Sequence, residues 1–319
     1  MIARAEIALP SYVNEILAGL SSVSKSLPCK LFYDQIGSAL FEQITRLPEY
    51  YLTRTELAIL EGNADEIIKT AGSPISVVEL GAGTATKTRT LLRSVARRQI
   101  RVKYFPVDIS PSALAEAQRG VREQFPGALV RPVIADLSHG FGFLRDISGP
   151  KLVLYLGSSI GNFDGNESTE LLRKLRGELS SGDALLLGTD TVKSEEILLP
   201  AYDDRQGVTR EFNKNILRRI NRELGGNFDL DAFCHRVEWN AACSRMEIYL
   251  ESCCEQQVLL RWTGTVIRFL QGERIHTENS YKYTDDMVCR MLARAGFQHE
   301  RTWLDGQKWF ALHLARVLN

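Results

Sequence analysis

Residues 76–89 read SVVELGAGTATKTR: a short apolar, β-branched run, a Gly81-Ala82-Gly83 turn, then a Thr- and Lys-rich helix start. YFPVDIS follows at 104–110, a second apolar run ending on Asp108. Strand, glycine turn, helix and a second strand tipped with a carboxylate form half of a nucleoside-binding crevice. Asp108 can accept both hydroxyls of a ribose. Asp136, in IADL (134–137), ends a third apolar run, where carboxylate and backbone suit an adenine amino group. A glycine turn alone also serves plain strand-to-helix connections. Three polar strand ends in register carry the nucleoside reading.

Phosphate decides between cofactors. Dinucleotide sites use G-x-G-x-x-G, with the pyrophosphate on the following helix N-terminus. Here the sixth position is Thr86, and no G-x-x-x-x-G-K-[ST] run occurs. A GAG turn preceded by Glu79 suits S-adenosylmethionine better, because that cofactor has a cationic sulfonium and an amino-acid tail but no phosphate. Lys87 reads either as the partner of the tail carboxylate or as a solvated first-turn lysine.

Outward from this segment, strands are expected at 76–80, 103–109, 129–137, 151–159 and 184–190, with helices near 86–98, 111–124 and 165–180. Near-continuous apolar strands alternating with helices indicate a parallel sheet covered on both faces. Upstream, residues 10–70 read as helical. SALFEQITRL (38–47) sets Leu40, Phe41, Ile44 and Leu47 on one face and Pro48 stops it; a second helix spans 53–70, with Thr53 and Glu56 fitting a capping box. Downstream, 194–232 reads as helical and 233–283 as an antiparallel sheet. A helix at 284–296 and two strands, FQHERTWLD and KWFALHLARV, then add an antiparallel edge hairpin to the parallel sheet. On this reading 194–283 is an insertion that joins the N-terminal helices in a second lobe. Cofactor and substrate are expected to meet in the crevice between the lobes, at the carboxyl ends of the strands.

Composition sets the frame. The 319 residues are 44% hydrophobic and 24% charged, ordinary for a soluble globular protein, with 39 basic and 39 acidic side chains. A net charge of zero provides no field for nucleic acid or an anionic membrane, and favours a small-molecule partner. The six cysteines show no C-x-x-C pair and no metal spacing with the five histidines. Adjacent Cys253 and Cys254 read as small hydrophobes on opposite faces of a strand. The N-terminal stretch lacks a signal-peptide pattern and no run reaches membrane-spanning length, so a cytoplasmic setting is expected.

Three further segments are unusually polar for their places. In YDQIGSALFEQITRLPEYY (33–51) tyrosines crowd a proline-stopped helix. LYLGSSIGNFD (154–164) leaves the fourth strand through Gly157, Ser158, Ser159, Gly161 and Asn162, where backbone carbonyls and the Asn162 amide can meet an amine or carboxylate; the plain alternative is an Asx or glycine turn. In HTENSYKY (276–283), Glu278 and Ser280 are two apart and share one strand face, a grip for an N–H-bearing ring or simply a solvated face.

Together YDQIGSALFEQITRLPEYYLTRTE, ELGAGTATKTR, PVDIS, GSSIGNFD, YDDRQGVTREFNKNIL, NRELGGNFDLDAFCHRVEWN and HTENSYKY resemble the histidine Nα-methyltransferase family of ergothioneine biosynthesis, from about residue 25 to the C-terminus. The resemblance implies an α/β class I (Rossmann-like) methyltransferase domain at 60–193 and 284–319, and a smaller α+β substrate lobe at 8–59 and 194–283. It implies three successive methyl transfers from S-adenosylmethionine to the α-amino group of L-histidine, giving hercynine. Carried over residue by residue, Gly81, Lys87, Asp108, Asp136 and Leu137 hold the cofactor. Tyr33 lies near the amine and Gly157 supplies a backbone contact. Asn162 and Tyr202 hold the amino-acid head, while Tyr50, Glu278 and Ser280 read the imidazole. A monomer with no metal, nucleic-acid or membrane partner is expected. Leu52 stands where a proline is common, GSSIGN replaces GSTIGN, and Ile248 stands where a methionine is frequent. Ile248 keeps open an Nα-methyltransferase for another amino acid. A non-catalytic ligand-sensing module and a nicotinamide dehydrogenase are the remaining alternatives; Gly81, Asp108, Gly157 and Asn162 speak against the first and Thr86 against the second.

Overall fold

The computed structural model describes residues 12–317, so residues 8–11 and 318–319 of the expected lobes lie outside the described residues. The chain divides into two compact units, one of Tyr51–Lys193 with Tyr281–Asn319, the other of Met1–Tyr50 with Ser194–Ser280.

The first unit is built on the apolar runs. Ser76–Leu80, Lys151–Tyr155 and Ala184–Asp190 are buried along their whole lengths, which is why they read as near-continuous apolar stretches. Ser76–Leu80 is central: Lys103–Asp108 pairs parallel on one side and Lys151–Tyr155 on the other, so strand order reverses there. Ala184–Asp190 continues the parallel set, then Phe310–Val317 and Phe297–Leu304 close that edge antiparallel. The expected edge hairpin is present. Helices Thr88–Arg98, Pro111–Gln124 and Gly165–Gly177 connect the strands.

Two local expectations are corrected. The strand expected at 129–137 is two short pieces, Leu129–Val130 and Val133–Ile134, both paired with Lys103–Asp108. Pro132 sits between them and has no N–H to donate to a ladder. The helix expected from residue 53 runs Tyr51–Ala71, and Glu56 lies fully buried in its interior rather than in a capping box.

In the second unit, Phe233–Asn240 and Arg245–Ser252 form an antiparallel pair, and Arg274–Tyr281 lies beside the latter. Lys25–Ser26 adds a parallel edge, a pairing that the antiparallel expectation for 233–283 did not include. Gln256–Leu260 and Thr265–Phe269 make a separate hairpin. Helices Val13–Ser21, Gln35–Ile44, Glu195–Tyr202 and Val208–Leu224 accompany these strands; the helical stretch expected at 194–232 is broken at Gly207 and Gly225, both at positive φ. Asp34 caps Gln35–Ile44 by accepting the Gly37 N–H at 2.8 Å, so that helix begins before the expected residue 38. Cys253 and Cys254 follow the strand that ends at Ser252 and are exposed, so neither is a core hydrophobe on a strand. Among the described residues, no helix is long and apolar enough to cross a membrane.

Candidate active site

The glycine turn stands at the carboxyl end of the central strand. Gly81 (φ 66°), Gly83 (φ 51°) and Ala85 (φ 57°) all take left-handed backbone conformations, which glycine adopts without a Cβ penalty. A Cβ at Gly81 or Gly83 would meet nothing within 4 Å, leaving open space above the turn for a ligand. Asp108 fixes the turn from the neighbouring strand: it accepts the Gly83 N–H at 2.9 Å and the Ser110 N–H at 2.8 Å, one on each oxygen. Each carboxylate oxygen keeps accepting capacity for a ribose hydroxyl. Glu79, fully within the sheet, takes hydrogen bonds from Thr88 Oγ1 and Tyr104 Oη. Burial pushes its carboxyl up to about 7. Asp136 and Leu137 follow the Val133–Ile134 strand, with Asp136 half-buried and 3.4 Å from His139 Nδ1.

Lys87 is not simply a solvated first-turn lysine. Its ammonium pairs with Glu56, whose side chain is fully buried. The other Glu56 oxygen accepts the Gly157 N–H at 2.7 Å. Room for this carboxylate comes from Gly188 on the adjacent strand, where a Cβ would stand 2.6 Å from Glu56 Oε1. Lys87 and Gly157 are thus brought together through a residue that sequence reasoning took for a helix cap. A signal was present: Glu56 is four residues from both Leu52 and Leu60, on the buried stripe of its helix.

The fourth strand ends in a tightly specified turn. Gly157 (φ 74°) and Ser158 (φ 58°) are left-handed, and Ser158 Oγ accepts the Asp190 N–H at 2.9 Å. A Cβ on Gly161 would stand 2.9 Å from the Tyr281 carbonyl oxygen, so only glycine fits. Asn162 ends this turn, half-buried. Nearby, Asp190 is a buried hub. Tyr51 Oη donates to both its oxygens at 2.9 and 2.8 Å, and Lys193 and Lys282 pair with it at 2.5 and 2.7 Å. Desolvation lowers the Lys193 ammonium to about 8.

The other unit carries Tyr33, Tyr50, Tyr202, Glu278 and Ser280. Tyr33 packs edge-on to Phe41 and Phe212, with ring centroids 5.8 Å apart in each pair, and Phe41 meets Tyr50 at 6.2 Å. Tyr202 Oη and Ser280 Oγ are hydrogen-bonded at 2.7 Å in a buried position. Glu278 is two residues earlier on the same strand and half-buried; burial first, then the Glu278 charge, push the Cys29 thiol up to about 12. Sequence reasoning missed His235, which positions Tyr202: its Nε2–H donates to the Tyr202 carbonyl at 2.9 Å and its Nδ1 accepts from Asn213 at 2.8 Å. Burial lowers its pKa, in keeping with a neutral ring. Ile248 is buried on the neighbouring strand, its carbonyl accepting Thr277 Oγ1 at 3.1 Å.

Strand order, the antiparallel edge hairpin, the open glycine turn and the Asp108 carboxylate define an enzyme of the class I S-adenosylmethionine-dependent methyltransferases. Across residues 12–317 the chain matches, and belongs to, the family described as histidine-specific methyltransferase, SAM-dependent. It is 41% identical over 311 residues to a histidine N-alpha-methyltransferase of Mycolicibacterium smegmatis, covering 98% of this chain and 96% of that protein. The corresponding protein of Mycobacterium tuberculosis is 40% identical over 304 residues, covering 95% and 94%. Ergothioneine biosynthesis protein 1 of Neurospora crassa is 29% identical over 296 residues, covering 91% of this chain but 33% of that longer protein.

Proposed function

We propose that this enzyme transfers three methyl groups in succession to the α-amino group of L-histidine, giving the trimethyl betaine hercynine for ergothioneine biosynthesis. The observation that carries the reading is the buried Tyr202–Ser280 hydroxyl pair with Glu278 on the same strand, a polar set suited to a small zwitterion with an N–H-bearing ring. Relatives at 41% and 40% identity that bear the histidine N-alpha-methyltransferase name support it.

S-adenosylmethionine, when bound, supplies an activated methyl on a sulfonium. Gly81, Asp108, Asp136 and Leu137 are the residues proposed to hold it, with Lys87 at its amino-acid tail. The protein's task is then alignment of the amine lone pair behind the methyl carbon. Positive charge moves onto nitrogen in the transition state, so backbone carbonyls and fixed dipoles stabilise it without a strong acid. The amine must be neutral to attack. An α-amino group titrates at about 8 in water, and desolvation lowers that further. No high-pKa base is required, and Tyr33 with water carries the protons away. Each methyl removes an N–H donor, so recognition rests on the carboxylate, held by Asn162 and Tyr202, and on the ring, read by Tyr50, Glu278 and Ser280.

The test is direct: protein, labelled S-adenosylmethionine and L-histidine are mixed, and the product mass is followed for gains of one, two and three methyls. Ile248, buried beside the strand that carries Glu278, favours a second reading with another amino acid or a histidine derivative as substrate. Incubation with each of the twenty amino acids separates the two. A single chain as the working unit and a cytoplasmic setting belong to this proposal.

A further inference from the structure

Outside the site described, two cysteines face one another. Cys234 lies on the Phe233–Asn240 strand, and Cys253 directly follows the Arg245–Ser252 strand that pairs with it, Phe233 opposite Ser252. The Cys253 N–H donates to the Ala232 carbonyl at 2.8 Å, holding the chain beside Cys234 beyond the end of its own strand. The two sulfurs stand 2.7 Å apart, well inside van der Waals contact. Cys253 is exposed and Cys234 half-buried, so reagent has access to one thiol while the second waits behind it.

We propose that Cys234 and Cys253 form a dithiol–disulfide site that reacts with low-molecular-weight disulfides. One cysteine thiolate attacks a sulfur of the reagent, forming a mixed disulfide and expelling one thiolate. The other cysteine thiolate then attacks the protein-bound sulfur, closing the Cys234–Cys253 bond and expelling the second. The protein gives up two electrons and two protons, and the reagent leaves as two thiols. The hydrogen bond to Cys234 and burial push the Cys253 thiol up to about 11, while Arg236 and Lys214 favour its thiolate. Exchange therefore quickens towards alkaline pH. The bond would tie the strand carrying His235, and through it the Tyr202 carbonyl, to the end of the neighbouring strand.

The full-length protein is incubated with oxidised glutathione, trapped with an alkylating reagent, digested and examined by mass spectrometry. The expected result is one cross-linked peptide pair joining Cys234 to Cys253, lighter by two hydrogens, with both residues protected from alkylation. Dithiothreitol should reverse it, and neither Cys234→Ser nor Cys253→Ser should yield an internal bond at the remaining residue. Full alkylation of both cysteines after oxidation would overturn the proposal. So would isolated glutathione adducts on either residue, or a bond from either one to Cys243 or Cys254.

Discussion

Gly83 and Asp108 are joined by a 2.9 Å hydrogen bond from the glycine N–H to the carboxylate, which ties the turn after the central strand to the tip of the next one. Removing the carboxylate therefore costs the turn its anchor as well as the proposed ribose contacts. Hydrogen bonds to a charged group contribute about 1.5–3 kcal/mol each. Asp108→Ala should weaken S-adenosylmethionine binding by about tenfold to a hundredfold, with histidine affinity much less affected. Titration calorimetry with each ligand separately would show the split.

Glu56 gives a prediction of a different kind, because its carboxylate serves two partners. Glu56→Ala leaves the Gly157 N–H without its acceptor, a loss of about 1–3 kcal/mol, and should lower turnover as the fourth-strand turn loosens. Glu56→Gln still offers an oxygen to that N–H and should recover most of the stability. Denaturant unfolding together with steady-state kinetics decides it. Equal losses in both variants would show that the Gly157 bond is not what matters.

Tyr33 packs edge-on to Phe41 and Phe212. As one of the proposed proton outlets, it should be dispensable in part: Tyr33→Phe should keep turnover within about tenfold of the parent, whereas loss of an essential general base costs about a hundredfold or more. Abolished turnover with unchanged ligand binding would make Tyr33 the base.

Glu278→Ala should reduce histidine affinity by about tenfold or more, since the proposed ring N–H partner is lost in a polar site. Selectivity should relax towards aromatic amino acids. Calorimetry showing unchanged histidine binding would remove Glu278 from the imidazole.

His313 sets a pH dependence of stability. It is buried between Thr189 and Thr302, at 2.9 and 3.0 Å, and burial lowers its pKa from 6.5 to about 4. As pH falls from 6.5 towards 4, the unfolded chain takes up a proton that the folded chain refuses, so stability drops. The full difference amounts to about 3 kcal/mol. Unfolding free energies measured across that range should fall in the parent and fall less in His313→Gln.

The parallel sheet was legible because strands buried on both faces are mostly apolar, and the glycine turn because the left-handed backbone there favours glycine. The break at Pro132 was legible in principle from its missing N–H. Glu56 was misread because Thr53 and Glu56 satisfy a local capping pattern, while the groups it holds, Lys87 and Gly157, are remote in sequence. The Lys25–Ser26 strand was beyond reach for the same reason: its partner, Arg274–Tyr281, lies far along the chain and leaves no local trace. Tyr202 and Ser280 were named through family likeness; their hydrogen bond became visible only in three dimensions.

The Asp190 hub also moors the segment that leaves the sheet unit after Lys193. Lys193 and Lys282 both reach it, and the Tyr283 N–H donates to the Asp190 carbonyl at 2.8 Å, so the backbone that departs after Lys193 returns alongside its point of exit. The excursion between them, Ser194–Ser280, carries Tyr202, Glu278 and Ser280. One buried carboxylate thus fastens both ends of that excursion, where the chain leaves the sheet unit and where it comes back.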